Sequence, residues 1–201
     1  MSKQVYISAD YSENSGDRDI VDVLQKWGKD SIHKVDFIDM SQVASGSVSN
    51  TSDCRPCDLK KEFNNQINAS SATIFIVGDK TASRTAGSSC TRGGRNVFWP
   101  TCTPYKQNTN GTKVCKLTYV PYEGINNVSC VNRYSYLRHE FEQARISKKK
   151  IIIVYNSTRK EYDWLPSYMK DYSLLARPFW KRNVYGEKVG DYEFIKKELG
   201  F

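Results

Sequence analysis

The sequence has no apolar run approaching the roughly 18 residues that a membrane helix needs, and its start lacks the charged-then-apolar pattern of a signal peptide. Met1-Ser-Lys-Gln4 runs straight into a strand-like segment, so the chain is expected to be soluble and cytoplasmic, with no membrane partner. Histidine is scarce: His33 stands alone and His139 is the only other, which leaves little material for a histidine-based metal centre. Acidic residues are outnumbered, 22 against 30 Lys and Arg, and the net charge of +8 favours anionic ligands. The cations are dispersed. Their densest run, Lys148-Lys-Lys150, falls where a helix ends and a strand begins, a place where cations complement the helix dipole, so nucleic acid is not expected as a partner.

What is present is an alternation of short apolar runs and amphipathic segments. Val5-Tyr-Ile-Ser8 reads as a strand, and Ile20, Val21, Val23, Leu24 and Trp27 then recur at helical spacing, with Asp17 or a neighbour available as a cap. Val35-Asp-Phe-Ile-Asp39 alternates as a second strand, and residues 41–53 are a polar loop. Leu59, Phe63 and Ile67 mark a second helix, with Lys60, Lys61 and Glu62 expected on its water face. Ala72-Thr-Ile-Phe-Ile-Val-Gly78 and Lys150-Ile-Ile-Ile-Val-Tyr155 are apolar enough to be central strands buried on both faces. Between them lie a Gly-, Ser- and Asn-rich insertion at about 82–133, within which 113–120 reads as a strand or one arm of a hairpin, and a helix from Ser135 to Lys148. The remainder, about 157–201, is a C-terminal extension that packs around the edge, with Trp164 to Tyr168, Leu174, Leu175 and a final helix from Tyr192 to Leu199. The expected architecture is a single α/β domain over 1–201: a parallel sheet with helices on both faces.

In such sheets ligands bind beyond the carboxyl ends of the strands, where the topology changes direction. That rule nominates the loops after Ser8, Asp39 and Gly78 and the starts of the helices that follow. With Ser135 as a cap, Glu140 sits early in its helix, where the positive end of the dipole favours a carboxylate. At about 100° per residue, Glu140 is turned about 60° from Leu137 and borders the stripe made with Phe141 and Ala144; Glu142, at about 140°, points to solvent. Ser8, Asp10 and Tyr11 offer a polar rim and a stackable ring, and Arg18 could pair with a diphosphate. Turn structure, for the first three, and surface solvation, for Arg18, are the plainer roles. His139 is expected to face away from Glu140.

Six cysteines remain. Cys54-Arg-Pro-Cys57 has metal-ligand spacing, but Cys90, Cys102, Cys115 and Cys130 are separated by 11, 12 and 14 residues and form no second such pair. Zinc, free thiols and disulfides within the insertion stay open, and no metal ligand is assigned.

The segment Ser135-Tyr-Leu-Arg-His-Glu140 resembles the part of TIR and TIR-like domains that carries their NAD-cleaving glutamate, with an aromatic, Tyr136, four residues ahead. Val5 to Tyr11 looks like the opening strand and loop of that family, Ile67 to Thr81 like the strand before the catalytic segment, and Lys150 to Tyr155 like the strand after it. The likeness covers about two-thirds of the chain and is greatest to the TIR-like proteins of Thoeris anti-phage defence systems. Tyr136 stands where Trp is usual, and the insertion is longer than the family's norm. The resemblance implies a flavodoxin-like fold with Glu140 catalytic and Ser8, Asp10, Tyr11, Arg18 and Tyr136 around the substrate. It implies NAD as substrate with no separate cofactor, a cyclic or conjugated ADP-ribose as product, a phage-derived trigger, a downstream effector that senses the product, and self-association. A non-catalytic TIR-like adaptor and a nucleoside deoxyribosyltransferase-like enzyme are the rival expectations.

Overall fold

A strand buried on both faces must find helices above and below it, and a chain that alternates strand with helix places its strands parallel. The computed structural model describes residues 3–11, 15–29, 35–39, 55–84, 106–107, 113–114 and 135–201. It contains β1 (Lys3–Ser8), α1 (Asp17–Gly28), β2 (Val35–Asp39), α2 (Arg55–Ala69), β3 (Ala72–Val77), β4 (Lys106–Gln107), β5 (Lys113–Val114), α3 (Tyr136–Ile146), β6 (Lys150–Tyr155), β7 (Arg177–Pro178), β8 (Trp180–Arg182), β9 (Lys188–Gly190) and α4 (Tyr192–Leu199). Five strands form one parallel sheet in the order β2-β1-β3-β6-β7. Among the described residues no helix is long and apolar enough to cross a membrane.

Strand side chains alternate between two cores. Val5, Ile7, Ile74, Ile76, Ile152 and Val154 face α1 and α4, meeting Ile20, Leu24, Ile195 and Leu199. Tyr6, Phe75, Val77, Ile153 and Tyr155 face α2 and α3, meeting Phe63, Ile67, Leu137 and Phe141. Every residue of β3 is buried, as its unbroken apolar run requires.

The structure corrects several expectations. A fifth strand, β7, extends the sheet, which the sequence pattern stopped at four; it has two residues, one of them a proline, and such a strand is tolerated only at an edge. Leu174 and Leu175 do not pack around that edge but stand 78% and 66% exposed. Of Asp17 and its neighbours it is Gly16, with φ 69°, that takes the cap position of α1, without a side-chain bond, and Asp17 is the first helical residue, buried. On α2, Lys60 is buried and Glu62 half-buried, where both were expected in water; the Lys61 side chain lies outside those described. Of the hairpin arm at 113–120, residues 113 and 114 pair with β4 and the rest lie outside the described residues. Cys54, Cys90, Cys102, Cys115 and Cys130 also lie outside them, and Cys57 falls within α2. The basic run does serve helix ends, though not its own: Lys149 Nζ donates to the Asn68 carbonyl in the last turn of α2, and Lys150 pairs with Glu198 of α4 at 3.0 Å.

Candidate functional site at the carboxyl ends of β1 and β3

The chain leaves β1 for β2 on one side and reaches β3 on the other, so the topology reverses between the carboxyl ends of β1 and β3. A cavity of about 80 Å³ lies there, lined by Ala9, Asp10 and Tyr11 after β1, Thr81 and Arg84 after β3, and Ser135, Tyr136 and Leu137 at the start of α3. Ser135 caps α3, accepting the Arg138 backbone N–H at 3.0 Å, and thereby fixes Tyr136 as the first helical residue. Tyr136 packs edge-on against Phe63 of α2, ring centroids 5.7 Å apart.

One turn further along α3 is Glu140, which lines no part of the cavity and is completely buried. Its Oε1 accepts from the Tyr6 hydroxyl at 2.9 Å and its Oε2 from the Ser8 hydroxyl. Tyr6 and Ser8 are two residues apart on β1 and therefore present both hydroxyls on the face that α2 and α3 cover. The expectation that Glu140 only borders the core needs correction; His139 turns toward α2, away from the hydroxyls that hold Glu140, and is buried too. The apolar stripe located one neighbour of α3, the sheet. The second is α2, and a helix with packing on two sides buries more of its circumference than its stripe indicates.

Burial pushes the Glu140 carboxyl up to about 8, against the opposing pull of the Ser8 and Tyr6 hydrogen bonds and of the Lys60 charge. Tyr6 is pushed up as well, by burial first and then by Glu140. His139 is driven down to about 3, by burial and then by Lys60, and is neutral. Its Nε2 lies 3.3 Å from the Lys60 carbonyl and 2.8 Å from Asn64 Oδ1; both are acceptors, so Nε2 carries the proton.

A second network ties the strand ends together. Asp17 is held by the Asn156 amide, which donates to Oδ1 at 2.9 Å, and by the Asp10 backbone N–H, 3.3 Å from Oδ2. Burial raises the Asp17 carboxyl to about 7. Asn156 in turn accepts from Trp180 Nε1 at 2.8 Å, and Thr81 Oγ1 accepts from the Gly78 backbone N–H at 2.8 Å. Arg84 pairs with Asp10 at 2.5 Å on the cavity rim.

The structure thus brings Ser8, Asp10, Tyr11, Tyr136 and Glu140 to one end of the sheet, the last beneath the cavity and the others at or beside its wall. Arg18 is not among them: it is exposed on α1 and lines no part of the cavity. The cation at the rim is Arg84, which no helical or strand pattern marks because it follows a short 3-10 turn, Thr81–Ser83. Tyr6 and Lys60 were also missed. Tyr6 was readable, since it alternates onto the same face as Ser8, and so was Lys60, which helix arithmetic puts about 20° from Ile67. The groove beyond the strands can hold a small polar ligand against a stackable ring, a cation and, below, a protonatable carboxyl in a dry site. No family model, no curated protein and no solved structure matches the chain.

Proposed function

We propose that this chain is a TIR-like enzyme that cleaves NAD at the bond between nicotinamide and ribose, with Glu140 as the catalytic carboxyl group, and makes a cyclic or conjugated ADP-ribose signal in anti-phage defence. The observation that carries the reading is the placement of Glu140: buried, gripped by two hydroxyls of β1, and one helical turn below the cavity at the topological switch point. The strand order, second-first-third-fourth-fifth for the parallel strands taken along the chain, supports a flavodoxin-like arrangement.

The chemistry asks for a single carboxylate. The bond from the ribose carbon to the pyridinium nitrogen breaks with its electron pair going to the ring, so nicotinamide leaves neutral and needs no general acid, unlike the leaving groups of two-carboxylate glycosidases. The positive charge passes to the ribose, where an anionic Glu140 stabilises the oxocarbenium-like transition state or traps it covalently. Water then gives ADP-ribose, or a nitrogen of the adenine closes a ring; either route releases one proton. Tyr136 stacks on the nucleotide, Asp10 and Tyr11 hold its sugar, and Arg84, rather than Arg18, meets the diphosphate once it exchanges its pairing with Asp10. Because Glu140 is covered, substrate entry must loosen the packing at the start of α3, and activity is expected to appear on self-association in response to a phage-derived trigger. A downstream effector in the same cytoplasm would sense the product.

The purified protein, incubated with NAD and deoxynucleosides with and without extract of phage-infected cells, should release nicotinamide, detected by mass spectrometry. Glu140→Gln should slow release by about 100-fold or more, the scale of losing one preorganised electrostatic group. No nicotinamide under any condition, or equal release by Glu140→Gln, overturns the reading. Base exchange among the deoxynucleosides would instead select a deoxyribosyltransferase. The burial of Glu140 also fits a non-catalytic assembly protein, for which Glu140→Gln would leave defence against phage intact.

A further inference from the structure

The sheet is open along part of one edge. Asn156, just past β6, donates its N–H to the Val77 carbonyl of β3 at 2.9 Å, whereas the Tyr155 carbonyl accepts from the Phe179 N–H, just past β7, at 2.9 Å. Backbone groups of a parallel strand face its two neighbours alternately, so those of Ile151 and Ile153 point the same way as those of Tyr155, toward the β7 side. There β7 pairs only with Val154 and Tyr155. Among the described residues the Ile151 N–H and C=O and the Ile153 N–H therefore have no strand partner. A hollow of about 200 Å³ lies against this stretch, with Ile151, Ile153, Leu175, Phe194 and Lys197 in its lining. Such an edge is a template for pairing with another chain unless it is covered or blunted. Leu174 and Leu175, in the segment that leads into β7, stand in solvent beside it.

The groove continues past β7. A second hollow, of about 600 Å³, shares Arg177 and Phe194 with the first and adds Lys181 and Arg182 from β8. The carboxylates that line the two hollows are already paired, Glu198 with Lys150 and Asp191 with Lys181, each at 3.0 Å. Arg177 and Lys197 have no carboxylate partner among the described residues, and Arg182 donates to the Gly186 carbonyl at 2.8 Å. The uncompensated charge of the groove is therefore positive. We infer that the open edge of β6, with the cationic groove beside it, is a docking site for an extended acidic segment of another protein. The segment's backbone pairs with Ile151 and Ile153, its apolar side chains rest on Leu175 and Phe194, and its carboxylates meet Arg177, Lys197 and Arg182. Strand addition of this kind takes its affinity from main-chain hydrogen bonds and its specificity from alternate side chains. A second copy is the wrong occupant, because the chain carries a net charge of +8 and edge-to-edge pairing would bring two cationic grooves together. Nothing in this surface depends on the chemistry proposed for Glu140.

The test selects short random peptides, displayed on yeast, for binding to the full-length protein, with counter-selection against Arg177→Glu, a change at an exposed position. The surviving peptides should be rich in Asp and Glu, and their binding as synthetic peptides, followed by fluorescence anisotropy, should weaken as salt rises. N-methylation along such a peptide should cost about tenfold or more at every second residue and little at those between, because only alternate N–H groups face β6. Solvent exchange of the Ile151 amide, followed by NMR, should slow when the peptide is bound. Ile151→Pro, which removes a donor that β3 does not use, should abolish peptide binding; if that variant does not fold, the N-methyl scan decides the pairing from the peptide's side. No surviving peptide, survivors without an excess of acidic residues, methylation costs without alternation, or an Ile151 amide that the peptide leaves unprotected overturns the inference. An Ile151 amide that becomes protected as the protein alone is concentrated overturns it too, since a second copy would then be the occupant.

Discussion

A carboxyl group that accepts from Tyr6 and Ser8 in a site closed to water is pulled two ways, and its proton affinity decides both stability and rate. Glu140 is raised from an ordinary value near 4.5 to about 8. Between those values the unfolded chain has released the proton and the folded chain keeps it, so the group's contribution to stability is complete below about pH 4.5 and is lost as pH rises through about 8. Glu140→Gln cannot ionise, yet its amide oxygen can accept from Tyr6 and its nitrogen can donate to the Ser8 oxygen. The variant should therefore be more stable than the wild type above about pH 5, by an amount that grows to a few kcal/mol near pH 8, on the scale of 1.36 kcal/mol per unit. Urea denaturation at pH 5 and pH 8.5 measures the difference; equal midpoints at pH 8.5 would show that Glu140 ionises freely. On the proposed reading the same value places a rising limb near pH 8 in the rate of nicotinamide release, since the anion would be the form that stabilises the developing charge.

At the scale of elements, α3 carries the candidate site and α2 packs against it. Ser135 satisfies the Arg138 N–H and sets the angle at which Tyr136 enters the helix, so Ser135→Ala should cost about 1 kcal/mol. Because Tyr136 lines the cavity and Glu140 lies a turn below, the loss should weaken nucleotide binding more than it slows turnover, visible as a rise in KM with kcat nearly kept. Which elements form was legible from local pattern: Leu59, Phe63 and Ile67 fall on one face of α2, and the Ser135 cap and the Tyr192–Leu199 helix stand where the sequence suggests. The side that a second neighbour would bury was less legible. Apolar residues announce one packed face, whereas the contact of α3 with α2 adds to the Phe63–Tyr136 ring pair the His139 ring bonded to the Lys60 backbone carbonyl and the Asn64 side chain, polar partners that meet only once both helices are docked. The same physics hid β7, a two-residue strand whose pairing with β6 comes from the sheet rather than from its own sequence.

For the molecule as a whole, the carboxyl ends of β1, β3 and β6 are held in register by contacts that converge on Asp17. Asn156 follows β6, Asp10 follows β1, and Gly78 follows β3; the first two hydrogen-bond to the Asp17 carboxyl, and the third lies directly against it. A β-carbon on Gly78 would sit 2.8 Å from Asp17 Oδ1 and 3.5 Å from its Cγ, and the carboxyl cannot swing aside without giving up the Asn156 amide. Asn156 is itself fixed by Trp180, so the displacement would reach the C-terminal hairpin of β8 and β9 as well as the cavity rim at Asp10. Gly78→Ala should therefore destabilise by about 1–3 kcal/mol, the range for overpacking a filled interior, and should lower nucleotide affinity although residue 78 lines no part of the cavity. Shortening the obstacle supplies the control: combined with Asp17→Ser, Gly78→Ala should cost much less than it does alone, a coupling that urea denaturation of the four proteins measures as a double-mutant cycle. Additive costs would mean that Asp17 is not what Gly78 makes room for, and that the three strand ends are joined by some other contact.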